Sequence, residues 1–218
     1  MKILTYIHYF FYLGFNWNFR IASHIIIQEI KGEKKYGIKT TGVDNLKKSG
    51  VDIFNATIYM PVSYDLLEEI FFSLPSTINR HFLDIGCGKG RVICVASQYK
   101  FKKITGIDFS KSLCEDAIEN TRLLKKTTST FDVIATDAAN YKIPNDVDCI
   151  FLFNPFNELI MNKVVQNIQQ SIASNKREVY IVYVNPVLKN SFTKKTFTEV
   201  YYSKRLKYLE VCILKNNL

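Results

Sequence analysis

Residues 82–92, F-L-D-I-G-C-G-K-G-R-V, decide the fold of this chain. The stretch opens with an apolar run, passes through glycines at the alternate positions 86, 88 and 90, and restarts as a second apolar run after Arg91. This order predicts a buried strand, a tight turn and a helix. Glycines in such a turn let a nucleotide-like ligand contact bare backbone at the carboxyl end of the strand.

The acid before the turn favours one kind of ligand. Asp84 precedes the first glycine, and a carboxylate there would repel a pyrophosphate but can accept hydrogen bonds from the ammonium group of an amino acid. The dinucleotide pattern G-x-G-x-x-G also needs a small residue where this chain has Arg91. We therefore favour S-adenosylmethionine over a dinucleotide, with a purely structural turn as the alternative.

Residues 84–90 resemble motif I of the class I, seven-strand S-adenosylmethionine-dependent methyltransferases, in which an acid precedes G-x-G-x-G. The resemblance covers residues 55–218. It implies an α/β, Rossmann-like fold with a seven-stranded, mostly parallel sheet and a C-terminal antiparallel hairpin. It also implies S-adenosylmethionine as cofactor and S-adenosylhomocysteine as product, and the predicted cofactor contacts in the turn are Asp84, Gly86, Cys87, Gly88 and Gly90.

Two further acids follow predicted strands. Residues 103–108, K-I-T-G-I-D, predict a short buried strand that ends in an acid about 20 residues beyond the glycine turn. A carboxylate there can accept bonds from both ribose hydroxyls, so we assign Asp108 to the ribose and include Phe109 among the cofactor contacts. By the resemblance, Asp137 and Ala138, after the next strand, lie at the adenine; a turn-capping aspartate is the alternative.

Residues 148–156, D-C-I-F-L-F-N-P-F, predict a buried strand that ends in Asn154, Pro155 and Phe156. The resemblance implies that these three residues lie beside the transferred methyl, and it adds Asn154 to the cofactor contacts. An asparagine oxygen and a proline-fixed carbonyl can accept bonds from an amine, and Phe156 can stack on a flat acceptor. Amino-group methylases spell this motif [D/N]-P-P-[Y/F], so one proline is missing. A loose similarity to the non-SET histone lysine methyltransferases remains, since they carry asparagine and phenylalanine here.

Residues 1–54 are predicted to form a helical extension followed by a basic linker, ahead of a methyltransferase domain at 55–218. Apolar residues recur every three or four positions in residues 1–31, which predicts amphipathic helices. We favour helices that pack on the domain over docking on a membrane surface. Residues 32–50 predict a loop, and a capped helix is predicted between Ser63 and Pro75. By the resemblance, Tyr59 and Tyr64 line the methyl-transfer site, with ordinary aromatic packing as the alternative.

The rest of the chain continues the alternation of strands and helices. Residues 110–126 and 157–173 predict helices, and residues 178–185 predict a β-branched strand. Residues 196–202 and 205–214 predict a closing hairpin that turns at Ser203 and Lys204.

Composition excludes several classes of site. The 218 residues hold five scattered cysteines and three histidines, which fit neither a disulfide framework nor a metal site and suit a reducing cytosol. The formal net charge is +9, with eight Lys and Arg against three acids in residues 1–50 and nine against three in residues 175–218. Basic flanks are compatible with an acidic protein, a nucleic acid or an anionic membrane, and a plain solvated surface is the alternative.

These features predict an enzyme that moves a methyl group from S-adenosylmethionine to an amine or hydroxyl on a protein, an RNA or a small metabolite. The sulfonium already activates the methyl, so the enzyme mainly holds the reactants about 3 Å apart and excludes water. Two alternatives stay open: a catalytically silent cofactor-binding module that acts through its basic flanks, and a nucleotide-dependent dehydrogenase, which Arg91 disfavours.

Overall fold

A computed structural model describes residues 2–42, 61–153, 156–193, 196–205 and 209–217. The helices are α1 Lys2–Asn16, α2 Phe19–Tyr36, α3 Tyr64–Ser73, α4 Arg91–Ala96, α5 Lys111–Arg122, α6 Glu158–Ser174 and α7 Asn190–Thr193. The strands are β1 His81–Ile85, β2 Lys103–Asp108, β3 Thr130–Ala135, β4 Val147–Phe153, β5 Tyr180–Val184, β6 Phe197–Arg205 and β7 Leu209–Asn216.

The strands form one seven-stranded sheet in the order β3-β2-β1-β4-β5-β7-β6. Strands β1 to β5 pair with one another in parallel, and β7 runs antiparallel to both β5 and β6. This confirms the predicted Rossmann-like fold with its C-terminal hairpin. From β1 the chain adds β2 and β3 on one side of the sheet, and it then returns to add β4 and the later strands on the other side. The strand order therefore reverses between β1 and β4. Open α/β sheets bind ligands at the carboxyl ends of the strands at such a point.

The sheet is covered on both faces, which is why its central strands are almost wholly apolar. Neighbouring side chains of β1 enter different cores: Phe82 joins the cluster that holds Leu67 of α3 and Ile93 of α4. Leu83 joins the cluster on the opposite face, which includes Met161 of α6. Helices α3 and α4 are thereby fixed on one face of β1 and α6 on the other.

The N-terminal helices α1 and α2 pack against each other and against the domain. Helix α2 ends at Gly37, whose left-handed backbone (φ 73°) lets its N–H donate to Glu33 O at 2.9 Å. The predicted loop from residue 32 is therefore wrong for its first part, because residues 32–36 are helical. Gly32 lies inside the helix because the ring of Tyr64 packs on it, and a Cβ at this position would lie 2.1 Å from Tyr64 Cγ.

The closing hairpin differs from the prediction in where it turns. Ser203 and Lys204, predicted as the turn, belong to β6 and pair with Val211 and Glu210 of β7. The ion pair between Lys204 Nζ and Glu210 Oε2, at 2.7 Å, supports this longer register. The short helix α7 was not predicted from the sequence. Within the described ranges, no helix has both the length and the apolarity needed to cross a bilayer.

Candidate functional site

The glycine turn joins β1 to α4 and is held against the end of β2. Gly86, Gly88 and Gly90 all have positive φ, at 86°, 52° and 80°. The N–H groups of Gly86 and Cys87 both donate to Ile107 O, at 2.8 and 2.9 Å. The turn therefore takes a backbone conformation that residues other than glycine rarely adopt. It lies at the carboxyl end of β1, where the sequence predicted a ligand.

Gly90 has a packing role, and its predicted contact with the cofactor stays a prediction. A Cβ on Gly90 would lie 2.9 Å from the Cβ of Ala117, so the glycine lets α4 and α5 approach closely. Gly106 in β2, which sequence reasoning missed, does the same for the turn, since its Cβ would lie 3.0 Å from both Cβ and Sγ of Cys87. The available signal was a glycine inside a strand, which often marks a close backbone approach.

Asp108 connects the ends of β1 and β2. Its Oδ2 accepts a hydrogen bond from Gly88 N, and its Oδ1 accepts one from Ser110 N, both at 2.9 Å. Burial raises the pKa of this carboxyl above its ordinary value, and the backbone hydrogen bonds from Ser110, Gly88 and Phe109 act in the opposite direction. Asp108 therefore fixes the shape of the turn from the carboxyl end of β2, and its assignment to the ribose stays a prediction.

Asp84 is a buried carboxyl with one unsatisfied oxygen. Its residue is 2% exposed, and Asp84 Oδ2 has no hydrogen-bond partner in the described part of the chain. Burial raises the pKa of Asp84 well above its ordinary value, and the nearby charge of Asp108 adds to the effect. An acidic oxygen left without a partner at the end of β1 fits the ammonium group of an amino-acid ligand, because the bond would be charge-assisted.

The remaining predicted cofactor contacts have local roles of their own. Asp137 is exposed, and its two carboxylate oxygens accept bonds from Ala139 N at 2.9 Å and Asn140 Nδ2 at 2.8 Å. It therefore caps the turn after β3, as the alternative interpretation held. Ala138 packs at the edge of the core cluster, and Phe109 keeps 39% of its surface exposed. The adenine assignment for Asp137 and Ala138 stays a prediction.

Of the predicted acceptor residues, the structure describes Tyr64 and Phe156. Tyr59, Asn154 and Pro155 lie outside the described residues. Phe156 is half-buried against the core cluster that contains Met161.

Tyr64 belongs to the interface between α2 and the domain instead of an open site. It is 1% exposed, its ring stacks on Tyr36 with centroids 5.6 Å apart, and its hydroxyl lies 3.0 Å from Thr40 Oγ1. Burial raises the pKa of its hydroxyl to about 12. The structure therefore supports ordinary aromatic packing for Tyr64, because a buried ring cannot line an acceptor channel without rearrangement.

Sequence reasoning missed a buried ion pair next to the glycine turn. Arg91 Nη1 donates to Glu29 Oε1 at 2.5 Å, and Nη2 bonds the second carboxylate oxygen of Glu29. Both side chains are almost fully buried, at 2% and 0% exposure. The available signal was a pair of acids inside the otherwise apolar and basic helix α2, which local pattern cannot connect to a residue 62 positions away.

Comparison with known proteins agrees with this geometry. The family described as "Methyltransferase domain" matches residues 82–175, from β1 through α6. Residues 82–175 are therefore similar to a methyltransferase domain, and they include Asp84, the glycine turn and Asp108. In the described ranges, no group of three or more His, Cys, Asp or Glu residues is placed to hold a metal ion.

Solved structures of the same fold are numerous. The protein PH0226 from Pyrococcus horikoshii has a TM-score of 0.54 and 16% identity, over 70% of this chain and 89% of that protein. The N-methyltransferase NodS from Bradyrhizobium japonicum, in complex with S-adenosyl-L-homocysteine, has a TM-score of 0.55 and 15% identity, over 71% and 86%. A SAM-dependent methyltransferase from Leishmania major has a TM-score of 0.54 and 14% identity, over 70% and 72%. These similarities show a shared fold. No curated protein matches the sequence.

Proposed function

We propose that this methyltransferase domain moves a methyl group from S-adenosylmethionine to an amine or hydroxyl acceptor. The observation that carries the proposal is the buried Asp84 carboxyl with an unsatisfied oxygen, beside the glycine turn that Asp108 holds in place. A purely structural turn gives no reason to bury a carboxyl oxygen without a hydrogen-bond partner, since such burial costs free energy. A site that binds a cationic ligand explains this burial, because the ligand supplies the missing partner.

Each residue of the proposed cofactor site then has a separate task. Asp84 accepts bonds from the amino-acid end of the cofactor, the backbone of Gly86, Cys87 and Gly88 makes room beside it, and Asp108 receives the ribose hydroxyls. Asp137 and Ala138, with Phe109 nearby, form the adenine end. When bound, S-adenosylmethionine supplies a methyl that its sulfonium has already activated. The protein's contribution is orientation and the exclusion of water.

The acceptor is proposed to meet the methyl at the end of β4, where Asn154, Pro155 and Phe156 follow the strand. An amine is the first acceptor to test, because the asparagine and proline oxygens can accept its hydrogens. A protein lysine is one such amine; it would have to be neutral to react, and desolvation beside Phe156 would favour the neutral form. We place the reaction in the cytoplasm, on the argument that free, buried cysteines suit a reducing compartment.

The test is transfer of a tritiated methyl group into fractionated cell lysate. We expect label in one fraction, whether protein, nucleic acid or small molecule, and we expect it to disappear with Asp84→Asn. The control is Asp132→Asn, a change of the same kind at an exposed position of β3 where the carboxylate pairs with Lys103, and it should keep the activity. Tight cofactor binding without label in any fraction would overturn the enzymatic proposal and support a silent binding module.

A further inference from the structure

Helix α1 exposes an apolar stripe to solvent. We name as the outer stripe the large side chains that recur every four residues on the surface of α1 and at the start of α2: Ile3, Ile7, Phe11, Phe15 and Phe19, which are 74%, 48%, 48%, 77% and 46% exposed. On the other side of the same helix, Tyr9 and Leu13 are 1% and 0% exposed and pack against Ala22 of α2. The stripe is therefore additional to the face that packs on the protein.

The rings of the outer stripe contact one another across the helix junction. Phe11 stacks on Phe15 with centroids 6.1 Å apart, and Phe15 meets Phe19 edge to face at 5.6 Å. The ladder continues from α1 into α2 and presents one aromatic surface. Contiguous apolar patches of this kind mark interaction sites more often than ordinary solvated surface.

The exposed charges of the N-terminal segment have one sign. Residues 2–42 contain only two acids, Glu29 and Glu33, and both are buried, at 0% and 8% exposure. Glu29 is bonded to Arg91, and Glu33 accepts bonds from the N–H groups of Thr40 and Thr41. The exposed charged side chains described in this segment are all basic: Arg20, Lys31, Lys34, Lys35 and Lys39. The fold has withdrawn every carboxylate of the segment from its surface.

We propose that the outer stripe docks this protein on the surface of an anionic lipid bilayer, with α1 lying in the plane of the interface. Apolar and aromatic side chains insert beside the headgroups while neighbouring cations meet acidic lipid, which is how interfacial amphipathic helices bind. A second copy of the chain would bring the same cations face to face. A nucleic acid would neutralise the cations but leave the aliphatic and aromatic side chains uncovered.

Vesicle sedimentation tests the proposal, with phosphatidylcholine vesicles compared with vesicles that also contain phosphatidylglycerol. The full chain should sediment with the anionic vesicles and remain largely in solution with the neutral ones. Phe15→Ser should weaken partitioning about tenfold, since one ring is removed from the inserted face. The matched control is Phe72→Ser, because Phe72 is 89% exposed on α3, outside the stripe, and its loss should leave partitioning unchanged.

Two further measurements distinguish insertion of the stripe from attraction by charge alone. Trp17, the one tryptophan of the sequence, packs on the cluster opposite the stripe, so the probe is the variant Trp17→Phe/Phe15→Trp, whose only tryptophan stands in the stripe. Its emission should shift to the blue with anionic vesicles and not with neutral ones. The triple variant Arg20→Gln/Lys31→Gln/Lys34→Gln should lose the preference for anionic vesicles. An unchanged thermal unfolding midpoint confirms that each variant is folded. Ile7→Ser is a second stripe variant, and it should weaken partitioning as Phe15→Ser does.

The proposal is overturned if the folded wild type stays in solution with both kinds of vesicle. It is also overturned if Phe15→Ser and Phe72→Ser reduce binding equally. A dimer in gel filtration that Phe15→Ser dissociates, together with no vesicle binding, would assign the stripe to a second copy of the chain.

Discussion

The guanidinium of Arg91 and the carboxylate of Glu29 form a two-pronged ion pair between α4 and α2. Arg91 also donates to Thr40 Oγ1 and Val62 O, both at 2.8 Å, and its guanidinium lies 4.3 Å from the ring centroid of Tyr64. Arg91 follows Gly90 directly, so the residue that opens the helix after the glycine turn is fixed by the N-terminal helices.

Removing one partner of this pair should destabilise the protein strongly. We expect Glu29→Ala and Arg91→Ala each to lower the free energy of unfolding by about 3–5 kcal/mol, because each leaves a buried charge uncompensated. The double variant should cost clearly less than the sum of the two, as measured by urea unfolding. Lys35→Ala is the control: its ion pair with Glu68 is largely exposed, so it should cost less than about 1 kcal/mol. Strict additivity would contradict the coupling.

Asp84→Asn should stabilise the protein without ligand. The pKa of Asp84 is raised in the folded state, so ionising it there costs more than ionising it in the unfolded chain. The folded state therefore holds this proton more tightly, and stability falls as pH rises from about 4 through the raised pKa. Asparagine removes this loss. Thermal unfolding should show a higher midpoint for the variant at neutral pH, with the difference fading near pH 4, and a midpoint below wild type at pH 7 would refute the assignment.

Asp84→Asn should also weaken binding of the cofactor. Asp84→Asn removes a charge-assisted bond to an ammonium, and we expect binding of S-adenosylmethionine to weaken by about 1–3 kcal/mol, measured by calorimetry. Because binding to a cation favours the ionised carboxyl, wild-type affinity should rise with pH through the raised pKa of Asp84. Affinity that is independent of pH would argue against this contact.

Asp108→Asn should behave differently from Asp84→Asn. Asp108 accepts bonds from the N–H groups of Gly88 and Ser110, and an amide can accept only on one side, so one donor loses its partner. We expect a loss of about 1–3 kcal/mol in unfolding free energy together with weaker cofactor binding. Opposite signs of the stability change at residues 84 and 108 are the diagnostic result, and thermal unfolding of the two variants measures them side by side.

Gly106→Ala tests whether β2 must lack a side chain at the position that faces the glycine turn. The new Cβ would lie 3.0 Å from Cys87 Cβ and Sγ, closer than side chains normally pack, so the turn must shift. We expect a loss of about 1–3 kcal/mol in stability and a weaker cofactor complex. Unchanged affinity in calorimetry would show that the turn does not need this close approach.

Much of the fold could be predicted because local signals agree with the final packing. β2 was predicted at its observed bounds, since an apolar run ends there in an acid, and the Asn157 and Ser110 caps mark where α6 and α5 begin. The hairpin turn was misplaced because Ser203 and Lys204 are polar yet lie on an exposed part of β6, where strand pairing rather than burial decides. Polarity alone cannot separate a solvated strand from a turn.

The candidate site was predictable in part for the same reason. Asp84 and Asp108 follow from spacing along the chain, because each ends a strand. The ion pair of Arg91 with Glu29 joins distant elements, so no local pattern contains it. For Tyr64 the sequence leaves two interpretations, the methyl-transfer site and ordinary aromatic packing, and the structure supports packing because the ring fills the space above Gly32. That contact depends on how α2 lies on the domain, which the sequence does not state.

The burial of Arg91 by α2 has a practical consequence for anyone who wishes to isolate residues 55–218. A fragment starting at residue 55 would keep the matched methyltransferase segment whole, but its Arg91 would lose Glu29 and Thr40, and the ring of Tyr64 would face water. Such a fragment is expected to precipitate or to work poorly, and the failure would reflect lost scaffolding instead of a missing catalytic group. Assays should therefore keep α1 and α2 attached.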